Sequence, residues 1–392
     1  MKIKHKQLQV PDLNKLKSVQ ELCDMDQPYL VNSEMDNLFL KAMKESINWH
    51  SSKNTFYNNL LNINKFDIES VEKIEDLQKL PYIHANFFKT HEVPTVSKDD
   101  LAITLTSSGT TGQKSQMFFD EWSINSGRRM VDFVYDYYGW YNPDKKTNYI
   151  VSNYEPEAGS TRGTTNTSMF LTHFAPANDM FYLLRSNGRG GHEFDAFGAI
   201  EKLKEYEKQG LPVRVVGFPS FFYFVIKQMM DLDMEPLKLS EESLIFTAGG
   251  WKGYADQQIS KKDFAILVEK QLGIPQHRCR DGYGSVEHSV PYIECSEHNL
   301  HIPIWSRAFI RDTKTREILG NEKPGFLCFL TPYITSVPAI SVMMGDLAMI
   351  HKAEKCSCGL KTPFIEILGR AGISKNKSCA VSASELLKKE SV

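Results

Sequence analysis

The sequence predicts an α/β fold: a layered domain with much parallel sheet, preceded by a helical amino-terminal region. Two textures carry that expectation. From Leu101 onward, short β-prone runs at Leu101–Thr106, 148–152, Val213–Gly217 and 243–247 are each followed by a longer amphipathic stretch, the alternation of layered α/β domains. Before about residue 88 the chain is polar and rich in Lys, Asn and Asp. There Leu38, Leu40, Met43 and Ile47, then Leu60, Leu61 and Ile63, recur at helical spacing.

Within the layered part, 194–208 places Phe197, Ile200, Leu203 and Tyr206 at helical intervals, and Gly210 and Pro212 stop that helix before the strand Val213-Arg214-Val215-Val216. The next helix, 218–230, is so dense in aromatic residues that it is buried on most sides or lines an apolar pocket. Beyond Pro303 come further β-like runs at 326–330 and 347–350, with Met344-Gly345-Asp346 placed between two such runs. No internal repeat or low-complexity tract is visible.

At 392 residues the chain has the length of two or three domains and can bury a core without disulfides. Its 46 Lys+Arg against 48 Asp+Glu leave a net charge of −2, so no global field draws it to nucleic acid or an anionic membrane. The longest apolar run, 221–226, is far too short to span a bilayer. The basic start, Lys2, Lys4 and Lys6, leads into polar residues rather than an apolar stretch; no signal peptide is expected, and a cytoplasmic location is. Seven scattered cysteines do not make a secreted disulfide framework. In a reducing compartment they are core fillers, metal ligands or nucleophiles.

The strongest motif is Thr106-Ser107-Ser108-Gly109-Thr110-Thr111-Gly112-Gln113-Lys114, directly after the strand that begins at Leu101. Two glycines let the backbone approach a phosphate, hydroxyls and amides donate to its oxygens, and Lys114 supplies charge. The spacing from Gly109 to Gly112 is too short for the P-loop pattern. Further on stand Asp281-Gly282-Tyr283-Gly284-Ser285-Val286-Glu287 and the Gly345-Asp346 pair. A glycine-flanked tyrosine can lie against a base, and two separate carboxylates can serve a metal and a ribose diol.

In this order and at these separations, the motifs resemble the adenylate-forming superfamily. That resemblance implies an adenylate-forming core whose Ser/Thr/Gly loop binds the β,γ-phosphates of ATP, with Tyr283 and Gly284 at the adenine, Glu287 holding Mg²⁺ and Asp346 gripping the ribose. Val286 stands where that superfamily usually carries a threonine. A narrower likeness rests on Val216-Gly217-Phe218-Pro219-Ser220, Thr247-Ala248-Gly249-Gly250-Trp251-Lys252, Arg280-Asp281, His301-Ile302-Pro303-Ile304-Trp305-Ser306-Arg307-Ala308 and Lys377-Ser378-Cys379-Ala380-Val381-Ser382. These are similar to the acyl-protein synthetase (LuxE-type) family, over about residues 40–385. The likeness adds Gly249, Gly250 and the hinge residue Arg370 to the nucleotide-binding set. It implies three parts: a helical region over 1–88, an adenylate-forming core over 89–368, and a tail over 369–392 in place of a full carboxy-terminal domain.

The implied reaction has two halves. A long-chain fatty acid reacts with ATP at a site served by Lys114 and Glu287, giving an acyl adenylate and pyrophosphate. Cys379 then takes the acyl group as a thioester, for use by a reductase or acyltransferase partner. Lys375 and Lys377 nearby would favour its thiolate. Transfer to coenzyme A or a carrier protein, and a catalytically silent scaffold, are the rival expectations.

Cys356-Ser357-Cys358-Gly359 forms a separate constellation with Cys295 and His301, about 55 residues upstream of it. Two thiols one residue apart are poorly placed to bond to each other and well placed to chelate, so the four side chains match a tetrahedral structural zinc site, with His298 as a rival to His301. The set is similar to a zinc site of phenylacetate-CoA-ligase-like relatives. Cys23, Cys279 and Cys328 are expected in the core. His288, Glu294 and Glu297 are expected on a solvated face.

Overall fold

The fold is described from a computed structural model of the chain covering residues 8–106, 116–156, 170, 172–189, 191–251 and 254–371. Its contacts divide the chain into two units. One holds Tyr138–Tyr283 and Ile293–His298; the other holds the described residues before Tyr138 and after His298, together with Gly284–Tyr292. The chain thus changes unit at 137/138, 283/284, 292/293 and 298/299. Residue 88 is interior to a unit.

The amino-terminal helices are α1 (Lys17–Asp24), α2 (Ser33–Lys53) and α3 (Thr55–Ile63), on the stretches where helical spacing predicts them. Asn32 and Asn54 cap the second and third, each accepting a backbone N–H three residues on. Their buried polar groups tie them into the second unit. His50 bonds Thr95 Oγ1 at 2.7 Å and the Ile334 carbonyl at 2.9 Å, and the Trp49 indole donates to the Thr335 carbonyl. Burial lowers His50 to about 4, so it is neutral in the fold. Then follow β1 (Ile83–His84) and the antiparallel pair β2 (Leu101–Thr106) and β3 (Gln116–Asp120), in which Thr106 faces Gln116; α4 (Glu121–Tyr137) completes this portion.

The first unit is the expected layered α/β domain. Strands β4 (Thr147–Tyr154), β5 (Ala177–Ser186), β6 (His192–Phe194), β7 (Val213–Gly217), β8 (Leu244–Ala248) and β9 (Cys279–Tyr283) form a sheet in the order β9-β8-β7-β4-β5-β6. All pairs except β5/β6 are parallel. Burial is nearly continuous along β4, β7 and β8, as parallel strands covered on both faces require. The crossovers are α5 (Ala196–Gln209), α6 (Pro219–Asp231) and α7 (Lys261–Leu272). Gly210, left-handed at φ 68°, ends α5 as predicted, and Pro219 opens α6. One expected core residue turns outward: Ile200, Leu203 and Tyr206 are buried, whereas Phe197 is 63% exposed because Ala196 and Ala199 occupy the inner face of the first turn.

After β10 (Tyr292–Ile293) the chain forms a mainly antiparallel sheet in the second unit: β11 (Leu300–His301), β12 (Arg307–Arg311), β13 (Ile318–Leu319), β14 (Gly325–Leu330), β15 (Ser341–His351) and β16 (Phe364–Arg370). The order is β11-β16-β15-β14-β12-β13, with β1 parallel to β15. Met344-Gly345-Asp346 is a correction to the expected boundary between two runs: it lies inside one eleven-residue strand. Gly345 beside the polar Asp346 reads locally as a break, but Asp346 pairs with Arg370 on β16 and the Gly345 carbonyl accepts the Ala371 amide.

Phe222 is fully buried in the α6 core. Phe222→Ala should lower the unfolding free energy by about 3–5 kcal/mol, and Ile266→Ala, at an exposed position of α7, by under about 0.5 kcal/mol. Denaturant titration of both variants checks this difference.

Candidate active site and metal centre

Parallel strands end together at their carboxyl edge, where open α/β sheets take ligands. In the first unit the register aligns Ser152 with Gly217, Gly217 with Thr247, and Ala248 with Gly282. Gly217 has φ 128°, and a Cβ there would lie 2.5 Å from the Ser152 carbonyl oxygen, so only glycine lets β7 approach β4 this closely. Gly249 and Gly250 continue β8 in left-handed conformations, φ 84° and 69°, and turn the chain along the rim. Tyr283 ends β9 on the same edge. Thus Gly249, Gly250 and Tyr283, far apart in sequence, share one rim within this unit.

The aromatic residues of α6 settle the question its composition raised. Phe222 is wholly buried, while Tyr223 and Phe224 are half-buried and meet the chain after β8. Tyr223 lies 5.2 Å from Trp251, Phe224 4.9 Å from Tyr254, and Phe221 5.8 Å from Tyr254, between ring centroids. One helix therefore contributes both to the core and to an aromatic wall beside the rim.

In the second unit, Gly284 and the buried Glu287 lie on the turn after β9, where Ser285 accepts backbone bonds from His288 and Ser289. The Ser285 hydroxyl reaches Met344 Sδ at 4.0 Å, which brings this turn to β15. Asp346 sits on β15 directly opposite Arg370 on β16, with Nε 3.6 Å from Oδ1. The next register step is irregular: Leu347 pairs with Gly369, but Ala348 with Ile367, so Leu368 is the extra residue of a β-bulge. Gly369, at φ 141°, accommodates it. A bulge re-aims the side chains beside it, here those of Asp346 and Arg370.

Ser107, Ser108, Gly109, Thr110, Thr111, Gly112, Lys114 and Cys379 lie outside the described residues. Thr106 is the last residue of β2.

The solvated-face expectation holds for Glu297 alone. His288 and Glu294 are each 1% exposed. His288 Nε2 bonds the Tyr292 hydroxyl at 2.9 Å and Ser306 Oγ at 3.1 Å, and its ring stacks on Phe329 at 4.4 Å. Burial pushes it down to about 3, which makes it a neutral structural histidine. Glu294 pairs with Lys261 at 2.5 Å. Sequence reasoning had no signal for that pair, because its partners are 33 residues apart on different elements.

The metal-type cluster is built around the turn between β15 and β16. There His301 on β11, Cys356 and Cys358 place their ligand atoms within 4.8 Å of one another. His301 Nδ1 donates to the Thr362 carbonyl at 2.7 Å, which leaves Nε2 as the lone-pair nitrogen, 3.4 Å from Cys358 Sγ. Burial lowers the His301 pKa, favouring the neutral ring. Both sulfurs accept N–H donors, Cys356 from Asn299 Nδ2 at 3.2 Å and Cys358 from the Leu360 amide at 3.4 Å. This donor set suits thiolates and a soft metal. Cys295 is buried six residues before His301 in the chain, and its carbonyl accepts the His298 amide. Cys23, Cys279 and Cys328 are buried as expected, and burial pushes Cys23 and Cys279 up to about 12, so neither is a thiolate nucleophile.

A family model described as acyl-protein synthetase, LuxE, matches residues 12–388. A long-chain-fatty-acid–luciferin-component ligase from Aliivibrio fischeri is 23% identical over 365 residues, covering 89% of this chain and 88% of its own. The ligase of the same description from Vibrio harveyi is 24% identical over 316 residues, covering 80% of each. Among solved structures, an open conformation of 2-hydroxyisobutyryl-CoA ligase in complex with 2-HIB-AMP and CoA aligns with a TM-score of 0.64 at 12% identity, over 89% of this chain and 74% of that chain. The fold is that of the adenylate-forming ligases. Among the described residues, no helix is long and apolar enough to cross a membrane.

Arg370 is 60% exposed, and its pairing with Asp346 is screened by solvent. Arg370→Ala should therefore reduce the unfolding free energy by under about 1 kcal/mol in a urea titration, so that any larger loss of activity belongs to the site rather than to the fold.

Proposed function

Because the chain belongs to the acyl-protein synthetase (LuxE) family, we propose that it activates a long-chain fatty acid with ATP and carries the acyl group on its own Cys379 as a thioester. In the first step a carboxylate oxygen attacks the α-phosphorus, the bond to the β-phosphate breaks, and pyrophosphate leaves. Mg²⁺, when bound, neutralises charge on the phosphate oxygens, and Glu287 would hold it. Lys114 and the amides from Ser107 to Gly112 would stabilise the same charge, Tyr283 would lie against adenine, and Asp346 would accept from the ribose hydroxyls. In the second step the Cys379 thiolate attacks the acyl carbonyl carbon and AMP leaves. A reductase or acyltransferase partner then consumes the thioester.

The observation that carries this reading is the shared rim of Gly217, Gly249, Gly250 and Tyr283 at the carboxyl ends of parallel strands. The aromatic wall of α6 beside it offers the apolar surface a fatty acyl chain requires. Support for the substrate comes from the two curated relatives, both named as long-chain-fatty-acid ligases.

Acid-dependent ATP/pyrophosphate exchange tests the first step. The wild-type chain and Cys379→Ser should both exchange, while Asp346→Ala should lose the activity by two orders of magnitude or more, roughly the effect of removing a transition-state contact. Labelled fatty acid should remain on the wild-type protein as a hydroxylamine-sensitive adduct and be absent from Cys379→Ser. An adduct that survives this substitution would rule out the second step.

The cysteine cluster has a structural role in this reading. His301, Cys356 and Cys358 would hold Zn²⁺, and Cys295 is the fourth ligand the sequence supplies; a closed four-ligand site supplies folding energy and no chemistry. Protein purified without chelators or metal resin should contain about one zinc per chain, the stoichiometry of one tetrahedral site. A content far below that, with Cys356→Ser unfolding like the wild type, would remove the metal from the picture.

A further inference from the structure

A charge cluster centred on the buried Glu294 lies beside β9 in the first unit. Glu294, 1% exposed, accepts the Asp281 amide on one oxygen at 2.7 Å and the Lys261 ammonium on the other at 2.5 Å. Its own amide donates to the Asp281 carbonyl at 3.1 Å, so Glu294 grips both backbone groups of that β9 residue. The Asp281 side chain is held as well. Its Oδ2 lies 3.2 Å from Lys261 Nζ, and its Oδ1 accepts from the Thr247 hydroxyl at 3.3 Å. Arg280 Nη1 closes the arrangement by donating to the Glu294 carbonyl at 2.7 Å.

Local stability does not explain Lys261. It is the first residue of α7, where a cation opposes the helix dipole, and its side chain is half-exposed while it serves two carboxylates. A single ammonium between two carboxylates fixes their separation, because release of either leaves like charges facing each other. Burial raises the Asp281 pKa, with the neighbouring Glu294 adding to it, and Lys261 pulls it back down, so the cation favours the ionised carboxylate. Asp281 is two residues before Tyr283 on the same strand, and Thr247 is two before Gly249 on the adjacent one.

We infer that Lys261, braced by Glu294, and Thr247 are positioning residues that fix the carboxyl ends of β8 and β9 for nucleotide binding. This rests on the reading that Tyr283 and Gly249-Gly250 receive ATP. Lys261 lies outside the motifs that carry that reading, and Thr247 stands in the Gly249-Gly250 motif without being one of its nucleotide contacts; both act through Asp281. A misplaced strand end weakens the nucleotide and leaves the fatty acid, bound by apolar surface, almost unaffected.

The experiment is ATP/pyrophosphate exchange with palmitate as the acid, in the full chain, with KM measured separately for ATP and palmitate in wild type, Lys261→Met, Lys261→Arg and Thr247→Val. Lys261→Met should raise the KM for ATP about tenfold or more, with the palmitate KM and kcat changed by no more than about threefold; Lys261→Arg should recover most of the loss, and Thr247→Val should move the ATP KM in the same direction by about threefold. An ATP KM unchanged in Lys261→Met overturns the inference, as does an equal loss in both KM values and kcat that arginine does not rescue. If Lys261→Met fails to fold, Thr247→Val decides: an unchanged ATP KM overturns the inference, and a selective rise supports it. Wild-type protein without acid-dependent exchange overturns the nucleotide reading and the inference with it, whereas normal exchange with a wild-type ATP KM in the variants overturns the inference alone.

Discussion

The pairing of β15 with its two neighbours, β14 and β16, positions both candidate sites of the second unit. Strand β15 carries eleven residues and is paired along both sides, to β14 and to β16, with the short β1 alongside its first residues. A one-residue slip in such a ladder would reverse every side chain, moving Met343 and Leu347 out of the core they share with Phe326 and Cys328. The register is therefore fixed by burial. The bulge at Leu368 is then a local departure inside a ladder that cannot slide, and it sets where Asp346 and Arg370 point. At the other end of the same hairpin stand Cys356 and Cys358, with His301 brought in by the pairing of β11 with β16. One ladder thus positions both the acidic ribose candidate and the metal-type cluster.

The first unit is organised by a different constraint. Its strands β7, β8 and β9 run parallel and return through the helices α6 and α7, so their carboxyl ends fall on one edge. Gly217 shows what this edge costs the sequence: a single methyl group would collide with the Ser152 carbonyl. The adjoining α6 buries Phe222 and turns Tyr223 and Phe224 toward Trp251 and Tyr254, so its aromatic density serves packing and surface together.

Buried polar groups were the hardest features to read along the chain. Glu294 looks like an ordinary surface charge in sequence, Asp281 stands in a glycine-rich motif that gives no sign of its partners, and His288 looks like one member of an exposed acidic stretch. In the fold each is matched: His288 by Tyr292, Ser306 and a stacked Phe329, and the two carboxylates by one ammonium and by backbone amides. Burying a charge requires partners from other elements, and nothing in a local pattern records which elements those will be.

What the sequence determined by itself were the elements whose cause is local. The β-prone runs at Leu101–Thr106 and Val213–Gly217, the stop at Gly210, the start at Pro219 and the helices before residue 63 all follow from side-chain period, capping and the φ preferences of Gly and Pro, which act within a few residues. The chelating potential of Cys356 and Cys358 was equally local, being a matter of spacing. Only the tertiary structure decided that Met344-Gly345-Asp346 lies within one strand, that a bulge aims Asp346 at Arg370, that Phe197 faces solvent, and that Lys261 bridges two carboxylates. These depend on registers and burial set by partners dozens of residues away, and such partners exist only once the chain has folded.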